Sequence, residues 1–500
     1  MGSLILEAKN LYKSFGAVQA LKNVSFEVAP AEIHCLVGEN GSGKSTFVKT
    51  VAGVHPPDSG EIILNGNSYP KVNVREAIKE GIQVIYQDLS LFPSMTVAEN
   101  IATNRMIAEN RRFINWKEIR EIAAKQLERI GVSLDLDEAV ENLSVANRQL
   151  VAICRALSLD AKLIFMDEPT TALTKTEVDR LLNIVLDLKS KGISVVFISH
   201  KLDEVMEVAD LVSIFRDGEK VGDFPSSEVN EKMLVYHMTG RKVEYPRYNR
   251  TYKDDTPVLE VKNLTSNGKY EDVSFTVRKG DILGLTGLLG AGRTELALTL
   301  FGLNPQDSGK IILEGKERKF TTPYQAIKSG ISLVPENRQT QGCYMNKSIT
   351  DNVAAPILDR MANGGGVLNV NKMKEHAEDT VKTLRVVTAG ISTELQNLSG
   401  GNQQKVVLGK WIGTNPKVLI LDSPTVGVDV GSKEEIYQHI QKFAAQGTAV
   451  ILISDEIPEI LANCNKLIVM KKGKVVGRLE SDDLNVADVR DRIHALMDSN

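Results

Sequence analysis

The chain repeats itself. Asn23–Val28 (NVSFEV) returns as Asp272–Val277 (DVSFTV), and Ser59–Leu64 (SGEIIL) returns as Ser308–Leu313 (SGKIIL), both 249 residues later. Asp167-Glu168-Pro169-Thr170 returns as Asp422-Ser423-Pro424-Thr425, 255 residues later. Two offsets held over such lengths are the mark of two homologous domains. The six-residue difference between them places one change of register between Gln87 and Ser144. With 500 residues, each copy is long enough to bury a core of its own. The expected layout is a first domain over 1–245, a linker over 246–256 and a second domain over 257–500. Tyr245–Asp255 (YPRYNRTYKDD) is polar without apolar periodicity, so it reads as a solvated connector.

Within a copy, short apolar runs alternate with helical patterns. Ile33–Val37 is a strand candidate, and Leu163–Met166 and Val195–Ile198 are continuous apolar runs of the buried-strand kind. Residues 90–145 read as helical instead, from Trp116 through Ile130, and carry the length change. The fold class is therefore α/β, twice over, each core holding an inserted helical subdomain. No apolar run approaches the roughly 18–20 residues that cross a bilayer. The opening MGSLILEAKN lacks the pattern of a secretory signal, so a cytosolic chain is expected. Cys35, Cys154, Cys343 and Cys464 have no metal-type spacing and read as small hydrophobes in a reducing compartment. A formal net charge of −4 gives no electrostatic reason to expect nucleic acid as a partner.

Chemistry concentrates at the ends of the apolar runs. Gly38-Glu39-Asn40-Gly41-Ser42-Gly43-Lys44-Ser45, followed by Thr46, fits the phosphate-binding loop between a strand and a helix. Its glycines let backbone N–H groups approach phosphate oxygens, and a helix N-terminus adds a favourable dipole. Lys44 suits the β- and γ-phosphates, and the Ser45 hydroxyl suits Mg²⁺. Leu163–Met166 runs into two carboxylates: Asp167 suits Mg²⁺, and Glu168 suits the polarisation of an attacking water. Two acids at a strand end are ordinarily just solvated; a phosphate loop upstream reverses that reading. Ser199-His200 ends a further strand, where open α/β sheets bind ligands, so His200 is a candidate contact to a γ-phosphate. Asn397-Leu398-Ser399-Gly400-Gly401-Asn402-Gln403-Gln404-Lys405 offers a hydroxyl, bare N–H groups and a helix start. A plain helix cap accounts for Ser399 but not for the paired glycines.

This combination resembles the ABC ATPase family over nearly the whole chain. The resemblance implies P-loop nucleotide-binding domains, with Gly38–Ser45 as Walker A and Asp167-Glu168 closing Walker B. It makes Gln87 the Q-loop residue, a further Mg²⁺ contact, and His200 the switch histidine. It makes Leu398–Asn402 the LSGGQ signature with asparagine in the last place, so that Ser399, Gly400, Gly401 and Asn402 contact nucleotide. Phe15 falls where the family stacks an aromatic on adenine. Two fused domains without membrane spans, with LSGGNQQK in the second, resemble the ATPase subunit of bacterial monosaccharide importers of the ribose, galactose, xylose and furanose types.

The copies have diverged. Lys44 corresponds to Arg293 in Gly287-Leu288-Leu289-Gly290-Ala291-Gly292-Arg293-Thr294, Gln87 to Glu336, Glu168 to Ser423 and His200 to Asp455. The second copy is shortened around Asn267-Gly268 and has no aromatic matching Phe15. The first copy's signature reads Leu143-Ser144-Val145-Ala146-Asn147, with side chains where both glycines belong. Since the family's domains pair head to tail, the resemblance implies that the two halves pair within one chain. The intact first-domain Walker elements then face the intact second-domain signature, giving one hydrolytic and one degenerate site. The degenerate site keeps Thr294, Asp422 and the permanent charge of Arg293, and is expected to retain ATP. The resemblance also implies integral membrane permease subunits as partners, an extracytoplasmic sugar-binding protein acting indirectly, and a peripheral place on the cytoplasmic face of the membrane. Leu89-Ser90-Leu91-Phe92-Pro93 is apolar for a loop; Leu91 and Phe92 are either core or part of the groove that receives a permease helix. A nucleoside importer is the nearest alternative. A ribosome-acting tandem ATPase is a further one, disfavoured by the short linker and the single competent site.

Overall fold

The computed structural model describes residues 4–498 apart from 17, 110–112, 171–172, 243–246, 289, 364–365 and 487. The expected boundary at 245/246 and Leu289 of the second loop lie outside the described residues. The chain divides into two compact units, residues 1–243 and 244–500.

In the first unit, the strand candidate and the two apolar runs become Ile33–Gly38, Ser194–Ile198 and Leu163–Asp167, side by side and parallel in one sheet. Its strand order is Glu219–Pro225, Leu211–Arg216, Ile33–Gly38, Ser194–Ile198, Leu163–Asp167, Ile82–Ile85, with only the outermost pair, Glu219–Pro225 against Leu211–Arg216, antiparallel. Every residue of Ile33–Gly38 is buried, as a central strand covered on both faces should be, and its one polar side chain, His34, is paired with Ser213 Oγ at 2.8 Å. A second, antiparallel sheet runs Val18–Val28, Leu6–Phe15, Ser59–Leu64, Asn67–Tyr69. The helix Lys44–Val51 is held between the two sheets by Phe47. Its ring centroid lies 4.8 Å from Phe26 on the antiparallel sheet and 5.6 Å from Phe215 on the parallel one. Full burial of one such ring stabilises by about 1.5–3 kcal/mol, so the helix start is anchored from both sides.

The helical insertion comprises Val97–Ala108, Trp116–Arg129 and Val145–Ser158. Trp116–Arg129 starts where expected because Asn115 caps it by accepting from the Glu118 N–H, and it buries Ile119, Ala123 and Leu127 at helical spacing. The second unit repeats the plan. Its sheet order is Ile331–Val334, Val418–Asp422, Ala449–Ile453, Ile282–Gly287, Lys466–Lys471, Lys474–Leu479, beside an antiparallel sheet ordered Tyr270–Arg278, Pro257–Ser266, Ser308–Leu313, Lys316–Arg318.

Two sequence expectations need correction. The register does not change once. Phe92 and Tyr344 are matched by the same hydrogen-bonded embrace from Asn100 and Asn352, while the cap residues Asn115 and Asn369 stand at a wider separation. Length is therefore added in steps, three residues in the loop between Gln87 and Phe92 and the other three through the helical insertion, where turns absorb them without shifting a sheet. The segment read as a solvated connector is not wholly solvated either. Tyr248 is buried in the second unit's core, its hydroxyl donating to the Gly280 carbonyl at 2.7 Å and its N–H to Ala462 O at 2.8 Å. Arg250 pairs with the buried Asp281 at 3.2 Å. One aromatic ring and one charge pair tie down a stretch whose average polarity conceals them.

The cysteines behave as small hydrophobes: Cys35, Cys154 and Cys464 are buried, Cys343 is half-buried, and none is in a disulfide. Burial pushes the Cys154 thiol up to about 12.

Candidate functional site

The glycine loop leaves the central strand of the first sheet against a neighbouring backbone. A side chain at Gly38 would strike the Phe215 carbonyl, and one at Gly43 (φ 103°) would lie 2.5 Å from Ala20 O. Gly43 is also the residue at which Lys44–Val51 begins. Glu39 is half-buried, and Asn40, Gly41 and Ser45 are exposed, Ser45 in the helix's first turn with half-buried Thr46 beside it. Lys44 is buried, and its Nζ donates to the carbonyls of Gly38 and Glu39 at 2.7 and 2.9 Å. Burial lowers its pKa, opposed by Glu168, Asp167 and Glu39. The Ser42 hydroxyl is buried with no partner. A buried, unpaired donor beside exposed loop N–H groups suits an incoming anionic oxygen.

The strand ends bring Glu168, His200 and Gln87 together. His200 Nδ1 lies 3.0 Å from Glu168 Oε1, and Gln87 Nε2 donates to Glu168 Oε2 at 3.3 Å. Glu168 holds a left-handed backbone (φ 48°), rare for a residue with a side chain, and its N–H donates to Ile198 O at 2.9 Å. Burial raises the pKa of Asp167, as does adjacent Glu168, while Lys44 and Lys49 oppose. An aspartate held in this way next to a second carboxylate gains from a cation. With the exposed Ser45 hydroxyl and the Gln87 amide, it makes a hard oxygen donor set that fits Mg²⁺.

Phe15 ends its strand 45% exposed, with the His55 ring edge-on at 5.3 Å and Lys13 Nζ 5.5 Å from its centroid. An exposed, edge-supported ring is a stacking surface.

In the second unit, Ser399 is exposed and caps Gly400–Ile412, its hydroxyl accepting from the Asn402 backbone N–H at 3.4 Å and from the Asn402 side-chain Nδ2 at 2.9 Å. The Asn402 side-chain Oδ1 accepts from the Val387 N–H at 2.8 Å. Packing demands glycine at 401 and crowds any side chain at 400. A Cβ on Gly400 would lie 2.8 Å from an Arg338 nitrogen, and one on Gly401 would collide with the Ser432 hydroxyl. In the first unit, Ser144 caps the matching helix but Val145 is 45% exposed in the place of Gly400.

Sequence reasoning missed four supports. Glu204, buried, accepts from Thr170 Oγ1 at 2.6 Å and Ser199 Oγ at 3.2 Å, joining the loop after Glu168 to the loop before His200. Glu459 does the same with Thr425 and Ser454. The recurrence of Glu at the same step in both copies, SHKLDE and SDEIPE, was the available signal. Arg338 donates to the carbonyls of Val426 (2.7 Å) and Gly427 (3.2 Å), beneath the signature glycines. His55 supports Phe15 through a ring contact that nothing in its neighbourhood of sequence announces.

Leu91 is half-buried and Phe92 is 49% exposed, so Phe92 is not core. Leu89 and Ser90 have left-handed backbones (φ 59° and 44°), and Arg155 donates to both of their carbonyls. The loop is fixed by its backbone while its apolar side chains stay available. Among the described residues, no helix is long and apolar enough to cross a membrane.

A family model described as "ABC transporter" matches residues 21–171 and 270–426. The ribose import ATP-binding protein of Bacillus subtilis (strain 168) is 40% identical over 95% of this chain and 96% of its own length. A putative ribose/galactose/methyl galactoside import ATP-binding protein of Rhizobium meliloti (strain 1021) is 41% identical over 98% of this chain and 96% of its own. The solved ADP conformation of an ATP-binding cassette of an ABC transporter is 27% identical over 48% of this chain and 97% of its own, with a TM-score of 0.43.

Proposed function

This chain belongs to the ABC transporter ATPase family, and from that premise we propose that it is the ATP-hydrolysing subunit of a monosaccharide importer. The observation that carries the reading is the convergence of Glu168, His200 and Gln87 beside a phosphate loop and Asp167. Sugar as the solute is supported by relatives named for import of ribose, galactose and methyl galactoside. The permease subunits and an extracytoplasmic sugar-binding protein follow as partners, and the cytoplasmic face of the membrane as the place of action.

In the reaction ATP and water give ADP and phosphate. The N–H groups of Gly41, Ser42 and Gly43, with Lys44, bind the β- and γ-phosphates, and Phe15 stacks on the base. Ser45, Gln87 and Asp167 would hold Mg²⁺, which supplies neutralisation of phosphate charge when bound. Glu168 accepts a hydrogen bond from the attacking water as its oxygen forms the new bond to γ-phosphorus and the bond to the β-phosphate oxygen breaks. His200, bonded to Glu168, fixes that carboxylate and reaches the γ-phosphate. Ser399, Gly400, Gly401 and Asn402 complete the site. The intact Walker elements lie in one copy and the intact signature in the other, and this complementarity of sequence is the support for pairing of the halves within one chain.

The decisive experiment is copurification with the membrane partner, followed by ATPase measurement with binding proteins loaded with ribose, galactose, xylose or a nucleoside. Stimulation by a sugar-loaded protein is expected; stimulation by the nucleoside alone, or recovery of the chain on ribosomes, overturns the reading. Leu91→Asp with Phe92→Asp should abolish that stimulation while basal hydrolysis and folding persist.

A further inference from the structure

The second domain's phosphate loop is already engaged by that domain's own carboxylate. Arg293, in the place of Lys44, is buried and ion-paired to Asp455, and its Nη1 also donates to Ser454 O at 3.4 Å. In the first domain Lys44 rests on backbone carbonyls, and His200, in the place of Asp455, faces Glu168. Two substitutions thus act as one. Lysine to arginine extends a fork that matches carboxylate and phosphate alike, and histidine to aspartate supplies a carboxylate for it to hold. The counterpart of Glu168 is Ser423, so no second carboxylate stands there to repel Asp455 or to compete with it for Arg293.

The surrounding charge has moved in the same direction. Asp167 feels Lys44 and Lys49 against Glu168. Asp422 feels Arg293 alone against Glu336 and Asp455, and Lys49 has become Leu298. A triphosphate would bring its extra negative charge to the strand end where Asp455 already sits on the loop's cation. A diphosphate leaves the terminal-phosphate position to Asp455, so that its β-phosphate and the carboxylate share the Arg293 fork.

Resting on the reading of the second glycine loop as a nucleotide site, we infer that the second domain is a nucleoside diphosphate site, in which the Asp455 carboxylate on Arg293 stands in for the terminal phosphate and excludes a triphosphate. This replaces the retained ATP expected from sequence alone. The competing carboxylate is 63% exposed on its side chain, so its removal leaves the core untouched.

Photolabelling of the full chain with 8-azido-ADP and 8-azido-ATP, each with Mg²⁺, and assignment of labelled peptides to each domain by mass spectrometry reads the two sites separately. Second-domain labelling should half-saturate at about tenfold less diphosphate than triphosphate, the scale of one partly screened unit charge. Asp455→Asn and Asp455→His should each bring the two nucleotides to within about threefold by tightening the triphosphate alone. Equal labelling in the parent chain, an unchanged ratio in both variants, or no labelling of the second domain in any of the three overturns the inference. Absence of label from the first domain would instead overturn the functional reading, so the two failures are separate.

Discussion

The two strand-end clusters share a backbone and differ in what it carries. Glu168 and Ser423 both hold φ 48°, Gly43 and Gly292 both open their helices from the left-handed region, and Glu204 and Glu459 both brace a Thr to a Ser. On that common frame, the first domain pairs an acid with a histidine and a glutamine, whereas the second pairs an arginine with an aspartate. A strained φ that persists without its glutamate shows that the turn belongs to the fold, made by the N–H to Ile198 or Ile453. The difference in chemistry lies in the side chains set on that frame.

The largest expected break in this comparison comes from Glu168→Gln. Hydrolysis should fall by about 10²- to 10⁴-fold, the scale of general-base loss, with ATP binding preserved. Near-normal turnover in a phosphate-release assay would mean that the two clusters do not differ in the way their side chains indicate.

Next is the pH response of Asp422. Burial raises this carboxyl to about 6, Glu336 and Asp455 add to the rise, and Thr294 and Arg293 oppose it. A folded pKa above the unfolded one means that the folded state holds the proton longer. Stability is therefore lost as pH rises from about 4 to about 6, and the cost, of order 3 kcal/mol, is fully present above that window. Asp422→Asn should raise the melting temperature at pH 8 and leave it unchanged below pH 4; calorimetry at the two pH values checks both.

The signature helices offer a smaller test. Gly401→Ala should destabilise by about 1–3 kcal/mol through the Ser432 collision, and Ser432→Gly should restore most of it. The exposed Val145 tolerates Gly or Ala within about 1 kcal/mol. Denaturant melts of the four variants decide. The smallest effect is at the stacking surface, where Phe15→Ala should weaken ATP binding about two- to tenfold. No change would remove Phe15 from the first site and with it one contrast to the second domain.

Much of this was readable in the residues. The glycine loops, the paired acids, Ser399-Gly400-Gly401 and the losses in each copy are local patterns whose meaning depends on a few adjacent positions. Contacts between segments far apart in sequence were not readable. Glu204 is one of two exposed-looking acids in SHKLDE until the fold buries it between Thr170 and Ser199. Arg338 is part of a polar turn until it lies under Gly400. Tyr248 was lost in the polarity of its neighbours.

Sequence alone determined that there are two domains, that both are α/β cores around a phosphate loop, and which copy lost which element, because repeats and short motifs are properties of adjacent residues. Tertiary structure alone decided that Arg293 and Asp455 compensate one another. They stand in different motifs, each of which reads by itself as a defect. Only the parallel pairing of Ile282–Gly287 with Ala449–Ile453 brings their strand ends into register, and only there can opposite charges meet.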